Sequence, residues 1–369
     1  MFPKALREYE AVSPASGIDV RRFSWIRPLL DDYTNNFASV SALYAGDPSR
    51  PEAWRAAITR AQQHTRRRAD LAALVAVQQA HRNAAPEARS AVATLAQPDT
   101  VAVLTGQQAG VFGGPLFTIL KAITAIQLAR RTAAEHGVAT VPVFWVDAED
   151  HDWDEVRSAT VLDADSRPRR VELDPVEGAG LLPIGALSLT HDIESKLAEL
   201  EASLAQTDFT EWTLSALRAA WRPGEGMATA FAHWLEGLLG PFGLVVFESG
   251  DPAAKPFVAD LFARELQFPG KTAALAAAAG DAMSKSGHAP QVVPQAENLS
   301  LFKLDGPRRA IRRREDQFAI GDDIQSPSAL AAEAVAHPER FSPNVLLRPI
   351  VEDAIFPTIC YVAGPGELA

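Results

Sequence analysis

One cysteine stands in 369 residues, so no disulfide can close within the chain, which fits a reducing cytoplasm. Cys360 lies among Ile359, Tyr361 and Val362, where a small core hydrophobe is the plain reading and a thiol nucleophile the alternative. Positive charge is also short: 35 Lys and Arg against 46 Asp and Glu leave a formal charge of −11. That balance argues against a general nucleic-acid binder and against affinity for anionic membranes, although the arginines cluster into local basic patches. No run of about 18 apolar residues occurs, so no segment reads as a membrane span. The opening Met1-Phe2-Pro3-Lys4-Ala5 lacks an apolar signal-peptide core, and a cytoplasmic location is the expectation. Two phosphate-binding fingerprints are missing as well. No glycine-rich stretch ends in the Gly-Lys-Ser/Thr of a P-loop, and Gly106, Gly110 and Gly113 do not keep the dinucleotide-binding spacing.

What is present centres on Pro98 to Glu155. Val101 to Leu104 form a continuous apolar run that stops at Thr105-Gly106, the pattern of a strand buried on both faces. Gln107 to Leu116 follow with Gly110, Gly113 and Gly114, then helical spacing of Ile119, Ala122, Ile123, Ile126 and Leu128 predicts a helix from Thr118 to about Arg131. Gly114 and Pro115 suit its entrance. Val141 to Val146 predict a second buried strand, with Pro142 near its start. Strand, helix and strand make a βαβ unit with parallel strands. In open α/β sheets the ligand crevice lies beyond the carboxyl ends of the strands, which brings the glycine-rich turn and the acids from Asp147 to Glu155 to one place.

A chain this long predicts two or more packed units, or one core with insertions. Residues 1 to about 45 read as irregular, with Phe23, Trp25, Ile26, Leu29, Leu30 and Tyr33 packing on the body. Pro51 opens a helix towards Arg68 whose periodicity continues through Leu71, Leu74, Val75 and Val77, and Pro86 opens another. Arg66-Arg67-Arg68 reads as a solvated helix face, with phosphate contact as the alternative. We expect a helical region over 1–97, the first half of the core over 98–157, and a connecting insertion over 158–240. That insertion combines strands at Ala159–Leu162 and Arg170–Leu173 with helices near 191–205, 210–221 and 226–239. The second half of the core, 241–369, begins with the strand Leu244–Glu248 and a helix from Ala253 to about Gln267, a third βαβ step. An alanine-rich helix over 272–286 precedes a β-rich insertion at about 288–320, with strands at Pro290–Val293, Leu299–Leu304 and Ala310–Arg314. Arg308, Arg309, Arg312, Arg313 and Arg314 read as an exposed basic strand face, with nucleotide phosphate as a second reading. Met283-Ser284-Lys285-Ser286 matches a synthetase ATP-binding tetrapeptide, but it ends a helix and reads as chance. Asn344 to Asp353, the apolar run Ile355 to Val362, and Gly364-Pro365-Gly366-Glu367 close the sequence; the last suggests a helix entrance and hence a longer natural protein.

Two constellations carry chemistry. Gln107 and Gln108 beside glycines offer amide donors and acceptors where backbone can approach a ligand, although a tight packing turn explains the glycines equally well. In Glu149-Asp150-His151-Asp152-Trp153-Asp154-Glu155, an extended chain would put Asp150, Asp152 and Asp154 on one face and Glu149, His151 and Glu155 on the other. Such a set could hold a cationic amine or sugar hydroxyls, or ligate a divalent metal. An acidic helix start accounts for Asp154 and Glu155 without accounting for His151.

At these residues the sequence resembles the bacillithiol biosynthesis cysteine-adding enzymes, the cysteine ligases known as BshC. Thr105-Gly106-Gln107-Gln108-Ala109-Gly110, Gly114-Pro115-Leu116-Phe117-Thr118 with Lys121-Ala122, and Val141 to Trp145 with Glu149-Asp150-His151-Asp152 look like that family's signatures. So do Asn344-Val345-Leu346-Leu347-Arg348-Pro349 and Gly364-Pro365-Gly366-Glu367. The resemblance covers nearly the whole chain. It implies an α/β fold with a Rossmann-like parallel sheet related to class I synthetases and nucleotidyltransferases, with inserted connecting segments. It also implies a carboxyl-terminal coiled coil that pairs two subunits, which this sequence does not reach, so a homodimer is expected of the full-length family. The implied reaction joins L-cysteine to the amine of glucosaminyl malate to give bacillithiol, with ATP the expected activator by analogy with synthetases. Glu149, Asp150, His151 and Asp152 are then the candidate catalytic residues, His151 or a neighbouring acid taking the amine proton or orienting the sugar. Thr105, Gly106, Gln107, Gln108, Gly110, Gly114, Pro115, Thr118, Lys121, Arg348, Gly364, Gly366 and Glu367 are the candidates for binding. The glycine turn and the following helix start would meet phosphate or the cysteine carboxylate, and Arg348 malate carboxylates. Alternatives are a metal-dependent hydrolase or transferase, and a non-catalytic nucleotide-binding protein.

Overall fold

Each apolar run of the core becomes a strand of one parallel sheet. The computed structural model describes residues 19–24 and 26–368; Trp25 and the amino-terminal pentapeptide lie outside the described residues. From Pro28 the chain is helical rather than irregular, with α1 (Pro28–Asn35) burying Leu29 and α2 (Phe37–Val40) burying Val40. The long helix expected from Pro51 is two: α3 (Pro51–Gln63) and α4 (Arg68–Arg82), followed by α5 (Pro86–Leu95). Arg66 stands at the break, its guanidinium bonding the carbonyls of Ala61 at 2.7 Å and Asp353 at 2.9 Å. It thereby satisfies a carbonyl that the end of α3 leaves open. Arg68 similarly donates to the Thr100 carbonyl at 2.8 Å, so two of the three arginines bind backbone rather than forming a solvated face or a phosphate patch.

The chain then runs through β1 (Val101–Gln108), α6 (Phe117–His136), β2 (Thr140–Asp147), the single turn α7 (Trp153–Val156), and the hairpin β3 (Ser158–Leu162) with β4 (Pro168–Glu172). Helices α8 (Asp192–Ser203), α9 (Thr210–Ala220) and α10 (Met227–Leu239) lead to β5 (Val245–Glu248). The helix expected from Ala253 starts as a 3-10 segment, Pro252–Phe257, because Pro256 inside it has no N–H to continue an α-helix. It is followed by α11 (Ala259–Gln267) and α12 (Lys271–Lys285). The Met283–Ser286 tetrapeptide is the end of α12, as its helical context suggests. Pro290–Val293 is not a strand. A five-stranded antiparallel sheet comes instead from β6 (Asn298–Leu304), β7 (Arg308–Arg314), β8 (Gln317–Ile320), β9 (Asp323–Gln325) and, after α13 (Pro327–Ala336), β10 (Phe341–Pro343). Finally α14 (Arg348–Ile355) leads into β11 (Thr358–Tyr361).

The core sheet has the order β11-β1-β2-β5, every pair parallel. Beyond β1 the chain builds to one side, through β2 to β5, then returns to add β11 on the other, so the order reverses between β1 and β11. β1 extends past the expected stop at Thr105-Gly106, because Gln107 and Gln108 still pair with Val146 and Asp147. Alternation along β2 sorts its side chains. Phe144 and Val146 pack with α6 and α10, whereas Val143 and Trp145 pack with α4, α11, α14 and the antiparallel sheet. Cys360 packs beside Val103, Ala125 and Ala129, and burial pushes its thiol up to about 11, so it is a core hydrophobe. Among the described residues no helix is long and apolar enough to cross a membrane.

A buried charge cluster ties α4 and α10 to the edge strand β5. Arg82 bonds Glu236 at 2.8 Å, the Val246 carbonyl at 2.7 Å, and Glu248. Both Arg82 and Glu236 are buried, so removing the cation strands a carboxylate without solvent. Arg82→Met is expected to lower unfolding free energy by about 3–5 kcal/mol, read as a shifted urea midpoint. An unchanged midpoint would show that the cluster contributes nothing to holding β5.

Candidate active site

The reversal between β1 and β11 is where an open α/β sheet forms its ligand crevice. Thr105 Oγ1 donates to the Val362 carbonyl at 2.8 Å, closing the two strands at their carboxyl ends. Gly106 is required there: a Cβ would lie 2.9 Å from the Trp145 carbonyl oxygen and 3.2 Å from the Tyr361 hydroxyl. Gln107 Oε1 accepts from Lys121 Nζ at 3.1 Å, and the buried Lys121 pairs with Glu367 at 2.9 Å. Glu367 in turn accepts from the Gly364 amide. The Gly364–Glu367 segment is thus a turn folded onto α6, and Gly366 is exposed within it.

The glycine-rich turn packs tightly on itself. A Cβ on Gly110 would stand 2.8 Å from Gly114 Cα, and one on Gly113, at φ +97°, would enter the Trp234 ring. The same backbone lines a cleft of about 460 Å³ whose wall includes Gln107, Gln108, Pro115, Phe117, Glu155 and Thr160. Behind it, the Thr118 hydroxyl in the first turn of α6 is fully buried and has no hydrogen-bond partner.

The acids of the 147–155 stretch divide by partner. Asp147 pairs with Arg348, and the buried Glu149 with the buried Lys255. Burial raises the Glu149 carboxyl above its ordinary range in spite of Lys255. Asp150 accepts from Gln108 Nε2 at 2.9 Å, Arg308 Nη1 at 3.1 Å and the His151 amide at 2.7 Å. Burial opposes its ionisation, but the Arg308 charge and these hydrogen bonds together hold it below the usual carboxylate range. The other hydrogen of the Gln108 amide goes to Glu155 at 2.8 Å, a carboxyl that burial raises. The extended alternation of faces ends at Asp152, whose exposed side chain caps α7 by accepting from the Glu155 amide at 3.2 Å. Asp154 pairs outward with Arg157 at 3.0 Å.

The fold therefore brings Thr105, Gly106, Gln107, Gln108, Lys121, Glu149, Asp150, His151, Arg348 and Glu367 to one edge, and turns Asp152 to capping. Four further residues belong to this edge. Arg308, expected on an exposed strand face, is buried at the start of β7 and reaches Asp150. Lys255 follows Ser249-Gly250-Asp251 at the carboxyl end of β5, a position that hints at the crevice without specifying a partner. Glu352 lies one turn after Arg348 on α14, and Tyr361 ends β11; helical spacing from Arg348 was the available signal for the first.

The family model for the bacillithiol biosynthesis BshC N-terminal Rossmann-like domain matches residues 17–369. The chain is 37% identical over 344 residues to a Salinibacter ruber protein named "Putative cysteine ligase BshC", covering 92% of this chain and 62% of the relative. Proteins of the same name from Koribacter versatilis and Symbiobacterium thermophilum are each 35% identical, over 78% and 74% of this chain and 53% and 52% of theirs. The chain thus spans between half and two thirds of the length of these relatives.

Glu352 gives the edge a measurable pH signature. Burial pushes its carboxyl up to about 8 from 4.5, with Arg348 holding it down and Asp147, Asp353 and Glu367 adding to the rise. A group that binds its proton more tightly in the folded state stabilises fully below its unfolded value and loses that contribution as pH rises through the folded one. Stability is expected to fall between about pH 4.5 and pH 8, by at most about 1.4 kcal/mol per pH unit from this group. Glu352→Gln should flatten that slope in urea titrations across the range; an unchanged slope would assign the dependence to other groups.

Proposed function

Because the chain belongs to the BshC family of bacillithiol biosynthesis, we propose that it carries the core of a ligase that joins L-cysteine to the amine of glucosaminyl malate. The supporting observation is the convergence, at the β1–β11 reversal, of an amide-lined glycine turn, a helix start with an unpartnered buried hydroxyl, and three carboxylate–cation pairs. Amide formation needs an activated carboxyl held against a free amine in a site that excludes bulk water.

The chemistry of the turn fits an anion. No side chain caps the start of α6, a 20-residue helix; the Thr118 and Ile119 amides donate to the Pro115 and Leu116 carbonyls, and the Thr118 hydroxyl is the donor there that has no partner, at a helix end whose dipole favours phosphate or carboxylate. Gly110, Gly114 and Thr118 would hold the phosphates of ATP or the cysteine carboxylate, and ATP supplies the activation of that carboxyl when bound. Glu155, which lines the same cleft and accepts from Gln108, would meet an ammonium group. Arg348, part-exposed and anchored on Asp147, suits a malate carboxylate. Asp150, held by Gln108 and Arg308, and His151 beside it would meet the amine and the sugar hydroxyls. Pairing of two copies, as the family resemblance implies, belongs to the same proposal.

The purified protein, extended to the length of its relatives, is expected to form bacillithiol from glucosaminyl malate, L-cysteine and ATP. Arg348→Ala should lower the rate by about 10²-fold through lost positioning. Liquid chromatography with mass detection of the thiol product reads both. No product from the extended form with any nucleoside triphosphate would overturn the ligase reading.

A further inference from the structure

Arg308 is the one residue of the antiparallel sheet whose guanidinium reaches both Asp150 and His151. Four of its five N–H hydrogens have partners. Nε donates to Ser342 Oγ at 3.1 Å and Nη2 to the Pro343 carbonyl at 3.0 Å, while Nη1 lies 3.1 Å from Asp150 Oδ1 and 3.3 Å from His151 Nδ1. The plane stacks on Phe302, 3.9 Å from the ring centroid, and the Arg308 amide is fixed on the Leu181 carbonyl at 3.0 Å. A side chain held at so many points cannot turn away from the histidine.

A guanidinium has donors and no acceptor. Nη1 carries two hydrogens and faces two acceptor positions, the Asp150 oxygen and His151 Nδ1, so each hydrogen finds one partner when Nδ1 is bare. Were Nδ1 to carry the proton of the neutral ring, its N–H would point into this donor cluster. Asp150 Oδ1, also 3.3 Å away, would then have to accept from three donors, since it already takes the His151 amide at 2.7 Å and Arg308. We infer that Arg308 is a positioning residue that fixes neutral His151 with a bare Nδ1 and a protonated Nε2. The ring edge bearing Nε2 is bonded by no described residue, and the side chain is 38% exposed. In the ligase reading, on which this role in the reaction rests, His151 therefore presents a hydrogen-bond donor to a substrate oxygen instead of a base to the amine.

Two measurements test this, and only the second depends on the ligase reading. Two-bond ¹H–¹⁵N correlation spectra of ¹⁵N-histidine-labelled protein at mildly alkaline pH, assigned with a His151→Gln sample, should show His151 with Nδ1 bare and Nε2 protonated. In Arg308→Ala the ring should shift towards a mixture of tautomers. A protonated Nδ1 in the wild-type protein overturns the inference whether or not the variant folds, as does an unaltered tautomer in a folded Arg308→Ala. In the bacillithiol assay His151→Gln, which keeps an N–H near the Nε2 position, should retain at least tenfold more activity than His151→Ala. Equal loss in both variants, with the tautomer as stated, would reject the donor role and leave the fixed tautomer standing.

Discussion

The crevice depends on matching the carboxylates at the end of β2 with cations supplied by different parts of the chain. Asp147 has Arg348 from α14, Glu149 has Lys255 from the segment after β5, and Asp150 has Arg308 from the antiparallel sheet. A carboxylate removed from water costs several kcal/mol unless a counter-charge and hydrogen bonds offset it, so the strand end of β2 cannot be completed by its own neighbours. Three separate elements must dock before these acids are tolerable. The pairings thereby specify the arrangement of α14, the post-β5 segment and the second sheet around the parallel core.

Fixed charge of this kind also suits the amide formation proposed above. Side chains already pinned by opposite charges need little rearrangement when charge develops on a bound substrate. The Gln108 amide has a comparable part, spanning Asp150 and Glu155 with its two hydrogens. Its position follows from the two residues by which β1 outruns the expected stop at Thr105-Gly106, carrying both glutamines to the level of the acids.

The βαβ unit, the third parallel strand and most helices were legible because burial on two faces leaves uninterrupted apolar runs, and amphipathic helices keep their period. Proline marked the starts of α3 and α5 correctly. The break between α3 and α4 was not legible, and the contact that Arg66 makes there is with a carbonyl 287 residues away. At the site, the glutamines, the acids and His151 were readable from spacing. Arg308 was not, because a run of arginines on a strand looks alike whether its first member faces solvent or a carboxylate on another sheet. Lys255 and Glu352 carried still less local signal, their partners being defined only by tertiary docking. The capping of α7 by Asp152 is a sequence-local preference that an alternation of faces along an extended chain does not show.

The place of β11 has a consequence for synthesis. Among the described residues it is the last strand, yet it covers one edge of β1, the first. Roughly 250 residues separate the two, and at about 5–20 residues per second a ribosome takes on the order of tens of seconds to make them. Throughout that interval β1 has one row of unpaired N–H and C=O groups, the feature that invites strand addition by other chains. Until β11 is made, that edge is either shielded by something else or open to pairing with another chain.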